Sequence, residues 1–215
     1  MNRKIIWLIA ILSSIAFSSC INLLDEIKLN SDKSGSVFIG LESKMLASIL
    51  NMAKDQIPRD LSENINEFPS EAKKRIEGIK GISNIKTLDE MGDGRLGISF
   101  DFSNPKSLNK AYYALLDIEK TWYLPKILKI GKHKVKRRNL TPQLVKQIEK
   151  NNPDLKNSDL LKYLHWETVI KLPKESKSIE SEHSKSAEGS ENIVIRYSLT
   201  EIIKEEKSTA FGIRF

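Results

Sequence analysis

Cysteine is almost absent from this chain, whose 215 residues contain one, Cys20. A single thiol has no partner for an intramolecular disulfide, so the disulfide framework of many small exported domains is excluded. The composition is otherwise that of a globular protein, with 40% hydrophobic and 29% charged residues. We therefore expect one domain, or two small ones, stabilised by an ordinary hydrophobic core.

Motifs for nucleophilic catalysis and phosphate binding are also absent. Serines are plentiful, yet there is no Gly-x-Ser-x-Gly turn and no glycine-rich loop followed by Lys and Ser or Thr. The acids Asp89, Glu90 and Asp93 lack the alternating spacing of an EF-hand calcium loop, and turn formation explains Asp93. The sequence therefore predicts no enzyme activity, no cofactor and no metal site.

Histidine is scarce as well, with His133, His165 and His183 as the whole set. His165 and Glu167 lie two residues apart on a predicted strand, and imidazole and carboxylate both bind zinc. The sequence shows no third ligand, so an exposed strand face is the better interpretation and a metal or acid–base pair is the alternative. His183 lies in a predicted loop, and His133 lies among lysines. A hydrolase built on His165 is accordingly the least favoured function.

The N-terminal apolar run is too short to cross a bilayer, which takes about 20 residues as a helix. It spans residues 5–17, only 13 positions, and follows a basic start at residues 3–4. A short apolar core behind a basic start is typical of an export signal. Ser18-Ser19-Cys20 comes next, two small residues and then the chain's single cysteine.

These residues resemble the lipobox of bacterial lipoproteins, in which the cysteine receives a diacylglyceryl group and becomes the N-terminus after cleavage. Phe17 stands three residues before the cysteine, where Leu is more usual. The resemblance implies a signal peptide at residues 1–19, an acylated Cys20 and a short tether at residues 20–22. A single domain over residues 23–215 would follow. The alternatives are an ordinary cleaved signal with an incidental cysteine, or an uncleaved anchor.

Lipidation would determine where the protein resides. Each buried acyl methylene contributes ~0.8 kcal/mol, so two or three chains hold a protein at a bilayer almost permanently. Residue 21 is Ile and not the Asp of inner-membrane retention signals in enteric bacteria, which favours the outer membrane. Removing residues 1–19 leaves 33 basic and 28 acidic residues, a net charge of +5. We expect a protein of the cell envelope, beside anionic lipids or glycans and away from nucleic acid.

Hydrophobic alternation predicts an α+β fold with a mostly antiparallel sheet, built from hairpins with several inserted helices in a single domain. The clearest strand follows the turn signal Asp93-Gly94 and carries Leu96, Ile98, Phe100 and Phe102 on one face. Further strands are predicted at 23–29, 36–41, 164–172, 193–199 and 209–215, with a hairpin over 122–138 that turns near Gly131.

Predicted helices lie at 45–53, at 104–116, from Thr141 onward and in a short turn at 200–206. A broken helix is predicted over 59–77, interrupted at Pro69-Ser70. Residues 174–192 are rich in Ser, Lys and Glu and lack aromatics. That composition predicts a flexible loop.

Three stretches together resemble a group of bacterial lipoproteins that includes those with an LppM-like domain. They are a hairpin through Asp32 and Gly35, a strand Phe100-Asp101-Phe102 leading to a helix Leu108-Asn109-Lys110-Ala111, and a strand end Leu172-Pro173 followed by 193–215. Lys174 stands where members of that group often have Gly. The resemblance implies a membrane-tethered α+β envelope domain that binds lipid or glycolipid and has no catalytic residues.

The candidate binding surface is a basic segment with no acid between Thr121 and Ile148. The candidate cations in it are Lys126, Lys129, Lys132, Lys134, Lys136, Arg137 and Arg138. Near an anionic membrane each charge contributes ~1 kcal/mol, decaying within a Debye length of about 8 Å. We expect Lys132, Lys134 and Lys136 to share one strand face. The alternative is a solvated hairpin whose lysines prevent edge-to-edge pairing.

Trp122 and Tyr123 beside this segment suit an interfacial anchor, although aromatics next to a strand more often belong to the core. The function predicted from the sequence is a non-enzymatic envelope lipoprotein that binds a lipid, a glycolipid or a partner. The first alternative is a structural or assembly factor that docks on another envelope protein, and the last is a hydrolase.

Overall fold

A computed structural model of the chain describes residues 21–43, 59–88, 94–118, 125–151, 161, 164–204 and 207–215. These residues form two sheets around one hydrophobic core. The strands are β1 (Ile21–Leu29), β2 (Gly35–Glu42), β3 (Ile82–Leu88), β4 (Arg95–Phe102), β5 (Leu128–Ile130), β6 (Lys134–Arg137), β7 (Leu164–Lys171), β8 (Ser178–Glu180), β9 (Asn192–Ser198) and β10 (Phe211–Arg214). The helices are α1 (Arg59–Ile76), α2 (Pro105–Leu115), α3 (Thr141–Asn151) and α4 (Leu199–Ile203). The predicted single-domain α+β fold is confirmed.

The larger sheet, sheet A, has the strand order β3-β4-β2-β1-β7-β9. Its neighbours are antiparallel except for β1 and β7, which run parallel with Ile21 beside Leu164. The predicted first hairpin is confirmed, with Leu29 opposite Gly35 across β1 and β2. Gly35 is required there, because a Cβ at this position would lie 1.9 Å from the carbonyl oxygen of Lys28.

The smaller sheet, sheet B, has the order β5-β6-β10-β8 and is antiparallel throughout. The predicted hairpin near Gly131 is confirmed as β5 and β6, closed by the Gly131 N–H donating to the Lys134 carbonyl at 2.7 Å. The sequence suggests one sheet, whereas the structure has two. The reason is that β10 pairs with β6 and β8 instead of continuing beside β9.

The core lies between the inner face of sheet A, sheet B and helices α1 and α2. The four alternating residues Leu96, Ile98, Phe100 and Phe102 are each at most 2% exposed, which confirms the predicted inner face of β4. Burying side chains of this size contributes roughly 1.5–3 kcal/mol each. Their registered neighbours on β2 and β1 complete the same apolar layer.

Helices α2 and α3 begin where the sequence predicts. The side chain of Asn104 accepts the backbone N–H groups of Lys106 and Ser107, each at 3.0 Å, and Pro105 is the first helical residue. An asparagine cap followed by proline satisfies donors that a helix start leaves free. Helix α3 starts at Thr141, directly after the buried Leu140.

Helix α1 runs unbroken from Arg59 to Ile76, so the predicted interruption at Pro69-Ser70 is wrong. Proline removes one backbone donor from a helix interior and leaves a carbonyl without its usual partner. The Ser70 hydroxyl donates to the carbonyl of Glu67 at 2.8 Å within this turn. Ala72 and Ile76 beyond the proline are buried at 2% and 0% exposure. Their packing outweighs the local preference for a break.

Residues 174–192, for which the sequence predicts a flexible loop, contain a strand and are bonded to both sheets. The segment contains β8, which pairs with β10, and Ser184 bridges to Ile195 of β9. Its base is closed by the Ser176 N–H donating to the Ser190 carbonyl at 3.0 Å. Serine hydroxyls extend this pattern, since Ser186 Oγ accepts the Val194 N–H at 2.8 Å. Polar composition alone did not reveal these local bonds.

Some predictions fall outside the described residues. They concern the leader with Cys20, the helix at 45–53, the residues Asp89, Glu90 and Asp93, and the aromatics Trp122 and Tyr123. Within the part of the chain that the structure describes, no helix has both the length and the apolar character needed to span a membrane.

Candidate anion-binding surface

The predicted basic segment divides at β6 into an exposed face and a buried one. Successive side chains of a strand point to opposite sides. Lys134 and Lys136 therefore face outward, whereas Val135 and Arg137 face the interior. Arg137 is 3% exposed, so its assignment to the binding surface is wrong. The alternation of Lys134, Val135 and Lys136 is the sequence signal that could have placed Arg137 on the apolar face.

The guanidinium of Arg137 is bonded through all three nitrogens. Nε donates to the carbonyl of Thr209 at 3.1 Å, Nη1 to Thr168 Oγ1 at 2.8 Å and Nη2 to the Tyr197 hydroxyl at 2.9 Å. Nη1 also lies 3.4 Å from Asp25 Oδ2. These partners come from β1, β7, β9 and the segment before β10. Arg137 therefore joins the two sheets and does not bind ligands at the surface.

Aromatic rings and the buried hydroxyl of Tyr112 complete this interior cluster. The Arg137 guanidinium carbon lies 4.5 Å from the Trp166 ring centroid and 4.6 Å from that of Phe211, distances at which a cation is attracted to a ring face. The Tyr112 hydroxyl donates to Asp25 Oδ1 at 2.6 Å. Burial raises the pKa of Asp25, and the charge of Arg137 opposes that change. Burial, followed by the carboxyl of Asp25, raises the pKa of Tyr112 well above its ordinary value, so Tyr112 remains a donor.

The outer face of sheet B brings four cations together. Across β5 and β6, Lys129 lies opposite Lys136, and across β6 and β10, Lys134 lies opposite Arg214. Side chains directly opposite in such a sheet have Cβ atoms about 4.5–5.5 Å apart, and like charges there repel. Sequence reasoning missed Arg214 because it lies in a strand far along the chain, although it alternates with the buried Phe211 and Ile213.

One carboxylate lies among these cations. Glu180 of β8 is 3.8 Å from Lys134 Nζ, 4.0 Å from Lys136 Nζ and 3.6 Å from Arg214 Nη2. In the described part of the chain, no second acid forms an ion pair with these three residues or with Lys129. Contact with Lys136 lowers the pKa of Lys134, which reflects the crowding of positive charge. The face has four cations and one acid.

The other predicted cations are less closely associated. Lys126 is exposed before β5, and Lys132 is exposed in the turn and not in a strand. The shared face is therefore confirmed for Lys134 and Lys136 and wrong for Lys132. Arg138 is half-buried beyond β6, with its guanidinium carbon 5.9 Å from the Tyr113 ring centroid.

The predicted histidine pair lies on the outer face of sheet A. His165 and Glu167 are half-buried on β7, and Glu167 lies opposite Arg196 of β9. Among the residues that the structure describes, no three His, Cys, Asp or Glu side chains are placed to hold a metal ion. His183 is buried at 8% exposure, with its ring centroid 4.8 Å from that of Tyr197.

A groove of about 580 Å³ on the outer face of sheet A was not predicted. It is lined by Glu26, Lys28, Ser36, Val37, Phe38, Asn84, Lys86, Ser99, Phe100, Asp101 and Lys171. Within it, Lys171 Nζ lies 2.5 Å from Glu26, and the Asn84 amide donates to Asp101 at 2.7 Å. The groove is lined by three lysines and two acids, a smaller excess of positive charge than the four cations and one acid on the outer face of sheet B.

No known protein family matches this chain, and no curated protein matches it either. Among solved structures, it is similar to the folded domain of LppM from Mycobacterium tuberculosis, determined by NMR. The two are 13% identical, the match covers 92% of this chain and 91% of that one, and the TM-score is 0.41. A likeness at this TM-score says nothing about what this chain binds.

Proposed function

We propose that this protein is a bacterial envelope lipoprotein, held at a membrane by acyl chains on Cys20, with a non-enzymatic domain that binds an anionic lipid or glycan. The observation that carries the proposal is Ser18-Ser19-Cys20, a lipobox-like sequence at the end of a short apolar core. Two or more acyl chains are sufficient for stable anchoring without a transmembrane helix. The residue after the cysteine is Ile, which favours the outer membrane.

The start of β1 supports close attachment of the domain. The strand begins at Ile21, one residue after the cysteine, and occupies an interior position in sheet A between β2 and β7. Residues 21 and 22, which the sequence assigns to a tether, belong to this strand. A body attached in this way would stay within a few residues' length of the bilayer, roughly 3.3 Å per residue.

The binding role is supported by the outer face of sheet B, where Lys134, Lys136 and Arg214 share the carboxylate of Glu180 and Lys129 lies opposite Lys136. An excess of cations on an exposed face attracts anionic groups and raises the rate of encounter with them. Phosphate and carboxylate groups are abundant on envelope lipids and glycans, and they are ligands that such a surface fits.

Mass spectrometry of the mature N-terminus, combined with membrane fractionation, tests the anchor. We expect the native protein to begin at an acylated Cys20 and to sediment with membranes. Cys20→Ala should lose the acyl mass and leave the membrane fraction after high-salt washing. Ser19→Ala, which keeps a small residue before the cysteine, is the matched control and should behave as wild type. A native protein with a free thiol, or with residues 1–19 retained, would refute the proposal.

A further inference from the structure

In the middle of the cationic face of sheet B, Gly212 has no side chain, and we call the space above it the hollow. Gly212 of β10 lies opposite Lys136 of β6 on one side and opposite Glu180 of β8 on the other. A glycine presents no side chain to the outer face, so the space above it is open to its neighbours. A Cβ at Gly212 would lie 2.8 Å from Glu180 Oε2. The carboxylate of Glu180 thus occupies the space that a side chain at Gly212 would fill.

The contacts of this carboxylate are weak individually. Its three ion pairs measure 3.6–4.0 Å, and Glu180 and Arg214 have side chains that are 50% and 61% exposed. Exposed ion pairs of this kind contribute little to stability, because solvent screens them and long side chains lose entropy. The carboxylate is therefore shared among cations without being held tightly by any one of them. A stronger anion could displace it at small cost.

An unused donor borders the same hollow. Ser178 lies opposite Arg214 across β8 and β10, on the same side of β8 as Glu180. Its hydroxyl oxygen is buried and has no hydrogen-bond partner among the described residues. Buried polar groups are normally bonded, so an unsatisfied hydroxyl beside a cationic hollow indicates a place for an acceptor.

Phosphate fits these donors better than a carboxylate does. A phosphate monoester carries a charge of about −1.5 to −2 at neutral pH and offers three acceptor oxygens. Arginine binds such groups through its planar fork, and lysines add point charges. A carboxylate supplies one negative charge to a face with four cations. A phosphate at the same position would neutralise more of that charge and reach more donors.

We propose that the hollow above Gly212, bounded by Lys134, Lys136 and Arg214, binds a phosphate group, and that Glu180 is its internal competitor. The inference rests on the proposed anion-binding role of sheet B and adds the ligand chemistry and the competing residue. Glu180 marks the position of the ligand and lowers the affinity for it. Removal of its charge therefore increases binding, although the residue lies within the site.

The test uses full-length protein purified from membranes in a non-ionic detergent, titrated calorimetrically with inositol hexakisphosphate. Glu180→Gln is compared with Glu77→Gln, which removes the same charge from an exposed position on another face. Glu180→Gln should bind about fivefold more tightly than wild type, as expected from loss of one adjacent competing charge, and Glu77→Gln should change affinity by less than about twofold. Equal effects of the two variants would show that only the net charge of the protein affects binding, and would overturn the inference.

Arg214→Gln provides the opposite arm, with Lys28→Gln on sheet A as the control of equal charge. Arg214→Gln should weaken binding about tenfold and Lys28→Gln less than about twofold. If Arg214→Gln weakens binding while Glu180→Gln leaves it unchanged, the surface binds anions but Glu180 is not a competitor. If neither variant differs from its control, sheet B is not an anion-binding surface. Neither result bears on acylation of Cys20, which the N-terminal mass decides.

A second ligand distinguishes the source of the phosphate. The same variants are titrated with mixed micelles that contain phosphatidylglycerol in place of the soluble probe. Increased affinity of Glu180→Gln for both probes supports a site that accepts phosphate in either form. An increase limited to micelles assigns the site to a lipid head group, and an increase limited to the soluble probe assigns it to a phosphorylated glycan or metabolite. Absence of any increase with both probes overturns the inference.

Discussion

The cations on the two faces of β6 differ in how completely they are paired. On the inner face, Arg137 has a partner for each guanidinium nitrogen and lies beside the carboxyl of Asp25. On the outer face, Lys134 and Lys136 share Glu180 with a third cation at 3.6–4.0 Å. A buried cation requires complete pairing because desolvation is costly, whereas exposed cations tolerate an excess. The inner face therefore serves the fold, and the outer face is available for ligands.

The outer face of sheet A shows that this excess is not general to the chain. There Arg95 lies 2.7 Å from Glu42 and 3.6 Å from Glu26, and Lys171 lies 2.5 Å from the same Glu26. Two cations thus share two acids in this cluster of sheet A, whereas on sheet B three cations share one acid and Lys129 lies opposite one of the three. The comparison between inner and outer faces of β6 can be tested by changing one member of each.

Arg137→Met should produce the largest effect, a loss of about 3–5 kcal/mol in the free energy of unfolding. Methionine fills much of the volume but leaves Asp25, Thr168 and Tyr197 without their donor. Urea denaturation followed by circular dichroism measures this. Arg138→Met, one residue further along and half-buried, is the control and should cost less than about 1 kcal/mol. Similar losses for both variants would show that the interior pairing is not important for stability.

Much of the fold was predictable, because strand alternation directly reports burial. Leu96 to Phe102 on β4 and Ile193 to Tyr197 on β9 alternate between core and outer positions over their whole length. Capping chemistry similarly located the start of α2 at Asn104. Local sequence patterns gave wrong predictions where contacts between residues distant in sequence determine the secondary structure. Helix α1 continues through Pro69 because its second half packs in the core, and β8 forms because β10 pairs with it.

The candidate site was only partly predictable for the same reason. The run of cations in residues 126–138 is evident in the sequence, but a count of charges does not separate the two faces of a strand. The burial of Arg137 could have been predicted by extending the alternation of Lys134, Val135 and Lys136 by one residue. Glu180 and Arg214 reach the site through pairing of β8 and β10 with β6, and local sequence does not record such long-range register.

Tyr112→Phe should have the next largest effect, about 1.5–3 kcal/mol of lost stability. It removes the hydroxyl that donates to Asp25 at 2.6 Å and leaves a buried carboxyl oxygen without this partner. Tyr113→Phe is the matched control, since the Tyr113 hydroxyl donates to a neutral carbonyl, that of Pro125. Hydrogen bonds to ionised groups are roughly twice as strong as neutral ones, so Tyr113→Phe should cost about half as much. Equal costs would argue that Asp25 is not charged in the folded protein.

Substitution of His183 tests whether the interior, which already contains Arg137, accepts a second positive charge. Its ring lies against Tyr197, which already binds Arg137, and it is faced by Glu201 and Lys207 and by Glu182 and Lys185 of its own segment. Burial, followed by the charge of Lys207, lowers the pKa of His183 below 6.5. Below about pH 6.5 the unfolded chain therefore binds more protons than the folded protein does. The stability that comes from burying a neutral His183 is complete above about pH 6.5 and is lost as the pH falls through the folded pKa.

When the pH is lowered from about 7.5 to about 5, we expect the free energy of unfolding to fall less for His183→Gln than for wild type, as measured by urea denaturation at each pH. Asp25 acts in the opposite direction, because its raised pKa gives a contribution that is complete below 3.8 and is lost as the pH rises. Comparison with His183→Gln isolates the histidine, since Asp25 is unchanged in both proteins. His133→Gln in the exposed hairpin turn is the control. Parallel pH profiles for all three proteins would show that the interior does not exclude a protonated histidine.

Lys136→Gln should have the smallest effect, and its sign differs from that of the interior changes. The substitution removes repulsion from Lys129 directly opposite and gives up a contact of 4.0 Å with Glu180. Because three cations share that acid and Lys129 adds a fourth charge beside them, we expect stability to rise by up to about 0.5 kcal/mol at low salt and the gain to vanish in high salt. Arg95→Gln on sheet A should instead lose about 0.5–1 kcal/mol, since it breaks a 2.7 Å pair with Glu42. If both substitutions destabilise equally, sheet B carries no excess of charge, and the outer face of β6 would be as fully paired as the inner one.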